Sequence, residues 1–297
     1  MRIHPRCFVC QVDRIYHEIL LVTRDEAAND TWRLFRAALA FYGENLDAEN
    51  SAALGTRARA WLAELSGCDD PYAGLKRKAN VACLELVPRL REALAELPPR
   101  DRLEAAVKLS VLGNELEYFL AEHQVRLTSG DEFLGALDRF EFFINQFDEF
   151  VEVLEGANNV LFLTDNAGEV VFDALLLEST RVFRPPARLV VAVKDGPILN
   201  DATLEDAQVA GLSEFAEVIT TSTRSVGFRL PDADERFRER WRSADLVVAK
   251  GMGHFESFDG HGDWFHCPLV HAFKVKCSAV AHELGVPLGS NVLKVLR

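Results

Sequence analysis

The chain has 297 residues, 48% of them hydrophobic, enough for one large domain or two modest ones around a real core. Its 33 Lys and Arg stand against 46 Asp and Glu, a formal charge of −13, which argues against a broad surface for nucleic acid or anionic lipid and allows only a local basic pocket. No stretch of about 18 uncharged apolar residues is present and no secretory signal follows residues 1–10, so the expected setting is the cytoplasm, with no membrane partner.

Six cysteines are too few for a disulfide framework and read as thiols in a reducing compartment. Cys7 and Cys10, flanked by His4 and His17, could hold a second metal such as Zn²⁺ or act as a redox pair, against the plainer reading of two semi-buried thiols outside the catalytic centre. Residues 27–65 then suit an amphipathic helix and its successor, with Trp32, Phe35, Leu39 and Tyr42 at three- and four-residue steps. The run Cys68-Asp69-Asp70-Pro71 breaks that pattern. Residues 80–97 predict a further helix that ends before Pro98-Pro99, after which Asp101 is placed to cap a helix running toward Phe119. Phe133, Leu137, Phe140, Ile144, Phe147, Val151 and Leu154 step by fours and threes, which predicts one long helix with a face of core side chains.

After residue 156 the period changes. Residues 160–163, 189–193, 218–221 and 246–249 are short apolar runs separated by helix-length sequence, the pattern of a parallel sheet buried on both faces. An α/β fold follows, with a helical domain over residues 1–155 and the sheet domain over 156–297.

Ligands of such sheets sit beyond the carboxyl ends of the strands. After the first run comes Thr164-Asp165-Asn166-Ala167-Gly168-Glu169, where Asp165 and Asn166 offer hard oxygen ligands for Mg²⁺ or Mn²⁺; an Asx turn with a helix cap is the plain alternative. After the second run, residues 194–203 supply Lys194, Asp195, Asn200, Asp201 and Thr203. The fourth ends in Lys250-Gly251-Met252-Gly253-His254, whose glycines and lysine suit a phosphate. Lys274 and Lys276 precede a helix-like stretch, 278–284. His254, Asp259, His261, Asp263, His266 and Cys267 form a ligand-rich run that a polar lid explains as well as a transition-metal site.

These four ordered segments, with Cys7-Phe8-Val9-Cys10, Gly113-Asn114 and Gly289-Ser290, resemble the signature blocks of the metal-dependent damage-control phosphatases, also known as domain of unknown function eighty-nine and as protein-glutamate carboxyl-methyltransferase-like proteins. The resemblance implies an all-helical N-terminal domain on a three-layer Rossmann-like domain that hydrolyses small phosphorylated metabolites with a divalent cation (Mg²⁺, Mn²⁺, Co²⁺ or Ni²⁺). By position it implies Asp165, Asn166 and Asp201 as metal ligands. Glu169, Asn200, Gly251, Gly253, His254, Lys276 and Asn114 fall at substrate positions and Lys250 in the phosphate-binding block, so Asp165, Asp201 and Lys250 are the expected catalytic set. His254 stands where the family pattern has Asn, and Glu117 where it has Asp. Attack on phosphorus could come from water or from Asp165 through an aspartyl-phosphate. The rivals are an S-adenosylmethionine-dependent carboxyl methyltransferase and a binding module without turnover. No Gly-x-Ser-x-Gly elbow, His-Glu-x-x-His pair or phosphate loop occurs.

Overall fold

The computed structural model describes residues 1–116 and 129–297. The expected end of the fifth helix near Phe119, and Glu117, lie outside the described residues. Among those described, twelve α-helices surround one seven-stranded sheet.

Three helices, α1 (Pro5–Thr23), α2 (Asn29–Glu44) and α3 (Ser51–Ser66), form a bundle with its own core of Ile15, Ile19, Leu34, Ala38, Leu54 and Leu62. The sequence reading misses α1, although Pro5 opens it and the His4 ring accepts the Arg6 N–H at 3.1 Å, a start suited to proline's fixed φ. On α2 the buried face runs through Thr31, Leu34, Ala38 and Tyr42. Trp32 and Leu39, expected beside Tyr42, are exposed. Next come α4 (Ala73–Ala95) and α5 (Pro99–Leu112). Asp101 sits inside the first turn of α5, with Pro98 at the cap position.

The single helix expected across 133–154 is two. The first, α6 (Gly130–Leu137), gives way to β1 (Ile144–Asn145) before α7 (Phe147–Gly156). Phe133, Phe140, Phe147, Val151 and Leu154 are nonetheless buried in one core, because β1 pairs with the last strand and turns the chain while keeping its apolar groups inward. The 3.6-residue period describes the burial but not the backbone.

The rest alternates: β2 (Asn159–Leu163), α8 (Glu169–Phe183), β3 (Arg188–Val193), α9 (Leu204–Val209), β4 (Glu217–Thr220), α10 (Glu235–Ser243), β5 (Leu246–Lys250), α11 (Met252–Phe258), β6 (Leu269–Lys274), α12 (Ser278–Leu284) and β7 (Asn291–Leu296). The sheet order is β1-β7-β6-β5-β2-β3-β4. All pairs are parallel except β6 with β7. Both faces are buried, which explains why β2, β3 and β5 read as unbroken apolar runs. Val160, Phe162, Val191, Val193 and Val248 pack on one face with α4, α5, α7 and α8 residues, while Leu161, Leu163, Ala192, Val247 and Ala249 pack on the other with Phe228, Phe237 and Trp241. Helices α4 and α5 thus serve the sheet, and β1 and α7 join it from before residue 156. The sheet ends in the two-residue β1 on one side and the four-residue β4 on the other. No described helix is long and apolar enough to cross a membrane.

Candidate functional site

The loops after β2 and β3 are stitched together by backbone hydrogen bonds at the carboxyl end of the sheet. The Ala202 N–H donates to Asp165 O and the Ala167 N–H to Asn200 O, both at 2.8 Å, and Asn166 and Asp201 form an antiparallel bridge. This register sets Asp165, Asn166 and Asp201 side by side. Asn166 Nδ2 donates to Asp165 Oδ2 at 2.9 Å. Lys194 Nζ stands 3.5 Å from Asp201 Oδ2 and donates to Gly227 O. Burial pushes the Asp201 carboxyl up, and Lys194 offsets it only in part. Such an under-compensated buried carboxylate is set to accept a cation.

Asp165, Asn166 and Asp201 line a cavity of about 70 Å³, together with Asn114, Asn200, Gly253 and Lys276 from the expected set and with Arg14, Met252, Glu256 and Lys274. Arg14 comes from α1, so the helical bundle closes over the strand ends. A Thr56 hydroxyl on α3 accepts the Val226 N–H at 3.0 Å on the same side. A second cavity of about 320 Å³ shares Leu199 with the first and is lined by Arg59, Asp69, Asp70, Tyr72 and Arg224. A third, of about 710 Å³, lies at the other end of the sheet around Pro268, Leu269 and Leu296, far from these carboxylates.

Gly251 does not line the small cavity, but it decides how Asp165 stands. It has φ +83°, and a Cβ there would fall inside the Asp165 carboxylate. Only glycine meets both conditions.

Lys250, Glu169 and His254 depart from the expectation that they face substrate. Lys250 is 1% exposed, and its ammonium donates to Glu169 Oε1 at 2.6 Å, Asp173 Oδ1 at 3.0 Å and Ser110 O at 3.0 Å. Burial alone would lower its pKa, yet Asp173 and Glu169 hold it above the usual lysine range. The cation is therefore spent inside the protein. Glu169 is likewise buried: Asn114 Nδ2 donates to its Oε2 at 2.6 Å and Asn166 Nδ2 at 3.3 Å. Burial pushes Glu169 up, while Lys250 pulls it down. Asp173 lies one turn beyond Glu169 on α8, on the same side of the helix, a spacing that could have been read from the sequence.

His254 is buried on α11 with Nδ1 2.6 Å from Lys250 O, so its Nδ1–H donates there. Burial, with Lys194 adding to it, keeps this ring neutral by holding its pKa well below the usual value. It does not line the cavity.

Cys7 is buried and Cys10 exposed on α1. His4 is used as the helix cap and His17 faces Asp13. In the run 254–267, His261 stacks on Trp264 and His266 lies 3.2 Å from Ala244 O. No group of three or more His, Cys, Asp or Glu that could hold a metal ion occurs among the described residues. Neither the cysteine pair nor this run is assembled as a metal site. The set at Asp165, Asn166 and Asp201 comprises two carboxylates and an amide, hard oxygen donors whose chemistry suits Mg²⁺ or Mn²⁺.

A family profile, the damage-control phosphatase ARMT1-like domain, matches residues 3–292. The chain belongs to this family. Within the damage-control phosphatase family it is 32% identical, over 100% of both chains, to a damage-control phosphatase of Archaeoglobus fulgidus. It is also 32% identical to one of Pyrococcus horikoshii, over 98% of this chain and 97% of that protein. A crystal structure of a domain of unknown function 89 family protein from Pyrococcus horikoshii superimposes with a TM-score of 0.87 at 31% identity, covering 99% of this chain and 98% of the other. The mixed α/β architecture is thus that of the family.

Proposed function

We propose that this damage-control phosphatase family member is a divalent-metal-dependent hydrolase that releases phosphate from small phosphorylated metabolites. The observation that carries the reading is the stitching of Asp165, Asn166 and Asp201 into one small cavity whose wall also holds Lys276, Lys274 and Arg14. The names of the relatives, damage-control phosphatases, support the same reaction class.

Asp165, Asn166 and Asp201 would hold Mg²⁺, Mn²⁺, Co²⁺ or Ni²⁺. When bound, such an ion polarises a phosphoryl oxygen and makes water a better nucleophile. Lys276, Lys274 and Arg14 supply positive charge for the phosphoryl oxygens, the task first expected of Lys250. Lys250 instead fixes Glu169, which orients the Asn114 and Asn166 amides. Asn200 and Gly253 shape the rest of the wall. The 70 Å³ cavity suits a phosphoryl group, and the 320 Å³ cavity beyond Leu199 gives space for the alcohol portion.

The test is phosphate release from a panel of sugar phosphates, phosphopantetheine compounds and p-nitrophenyl phosphate with each of the four ions. Activity should vanish with chelator and return with a divalent ion. Undiminished turnover in metal-free protein would sink the metal requirement. Methyl transfer from S-adenosylmethionine with no phosphate release would replace the reading altogether.

A further inference from the structure

The carboxyl groups at the small cavity differ in what already binds them. Asp165 accepts the Asn166 amide, Asp201 faces Lys194, and Glu169 behind them accepts two amides and a lysine. Glu256 is different. It lines the cavity from α11 and is 7% exposed, yet its carboxyl takes no hydrogen bond among the described residues. A buried carboxyl without a partner is costly unless it is neutral or serves a ligand.

Its surroundings keep the proton on. Burial raises its pKa to about 7, against the opposing charges of Arg14 and the Met1 amino group. Cys7 of α1 lies within its field, and Lys274 and Lys276 share the cavity wall from the end of β6. Asp165 and Asp201 line the same cavity. Arg14 and the Met1 amino group favour the carboxylate, while burial favours the acid.

Hydrolysis of an alkyl phosphate leaves an alkoxide, a poor leaving group until it gains a proton. Lysines and Arg14 can offset charge on phosphoryl oxygens, but Asp165 and Asp201 as metal ligands have no proton to give. We propose that Glu256 is the general acid, donating its proton to the departing ester oxygen; this rests on the phosphatase reading above. The P–O bond to the alcohol breaks as a P–O bond to water forms. The Glu256 proton completes the free alcohol, one proton of the water stays on the phosphate, and the other passes to solvent, from which the Glu256 carboxylate is re-protonated.

The assignment is tested with E256Q and two substrates assayed on the same preparation: an alkyl phosphate active with the wild type, and p-nitrophenyl phosphate, whose phenolate leaves without a proton. The ratio of the two rates does not depend on how much of the variant folds. E256Q should lose about 10²–10⁴-fold on the alkyl ester and less than about 10-fold on the aryl ester. The kcat of the wild type should fall as pH rises past neutrality, and E256Q should lose that fall. E256D, which keeps a proton, should restore that limb. Equal losses on both substrates, or no loss on either, would overturn the assignment. Absence of phosphate release from both substrates in the wild type would overturn the phosphatase reading and this assignment with it.

Discussion

Two polar clusters share the carboxyl end of the sheet and handle charge in different ways. At the cavity, burial raises the Asp201 and Glu256 carboxyls, and Lys194 and Arg14 offset it only in part. Behind it, Lys250, Glu169, Asp173, Ser110 and Asn114 form a buried network in which the lysine spends all three donors, although Asp173 Oδ2 and Asn114 Oδ1 find no partner among the described residues. The Ser110 hydroxyl also donates to Asp173 Oδ1 at 2.6 Å. A carboxylate whose charge is offset only in part is poised for a ligand, whereas a cation whose donors are all committed inside the protein holds its neighbours in place. In sequence, Asp165, Asn166, Asp201 and Lys250 look alike, since each stands at or just beyond a strand end.

The contrast breaks most sharply at Asp201. Asp201→Asn keeps the side chain's shape and removes half the carboxylate charge of the cavity pair, so metal affinity by calorimetry should fall with kcat, the latter by at least about 10²-fold. Thermal stability should hold or rise, because a buried carboxyl with a raised pKa is a cost to the fold. Unchanged metal affinity would reduce Asp201 to a loop residue.

Lys250→Met should act in the reverse order. It leaves Glu169 and Asp173 buried without their cation, a loss of about 3–5 kcal/mol, to be read from denaturant unfolding. If stability is retained while activity alone is lost, Lys250 reaches substrate and the buried network is not its role.

The smallest effect is on the pH dependence of stability. With an ordinary value of 4.5 and a folded value of about 7, Glu256 binds its proton more tightly when folded. Its contribution is full below about pH 4.5 and is lost as pH rises through about 7, a span worth at most about 3 kcal/mol. Unfolding curves of E256Q should lack that decline. Parallel curves for variant and wild type would mean that Glu256 is ionised throughout.

Much of the fold is legible in the amino-acid sequence. The runs at β2, β3, β4 and β5 stand out because both sheet faces are buried, and their polar ends point to Asp165, Asn166 and Asp201. The strands β6 and β7 escape notice because His271, Lys274 and Lys294 interrupt their apolar pattern. The sheet tolerates these breaks because β6 and β7 pair antiparallel beside the edge. The direction of Lys250 is not legible, since its partners Glu169 and Asp173 lie on α8, far away in sequence. Glu256 and Arg14 escape because neither belongs to a strand-end run; what reveals them is that α1 and α11 both reach the wall of the one small cavity.

The edges of the sheet carry a consequence for how this protein behaves at high concentration. An open strand is a template on which another chain can add, the first step toward aggregation. Here one edge is only Ile144–Asn145, too short to template much. At the other, Glu217 on β4 is held by Arg188 at 2.6 Å and by Arg240 at 2.6 Å. An incoming strand would have to pair beside this fixed ion cluster on a four-residue segment, so β4 is guarded against adding a neighbour's strand.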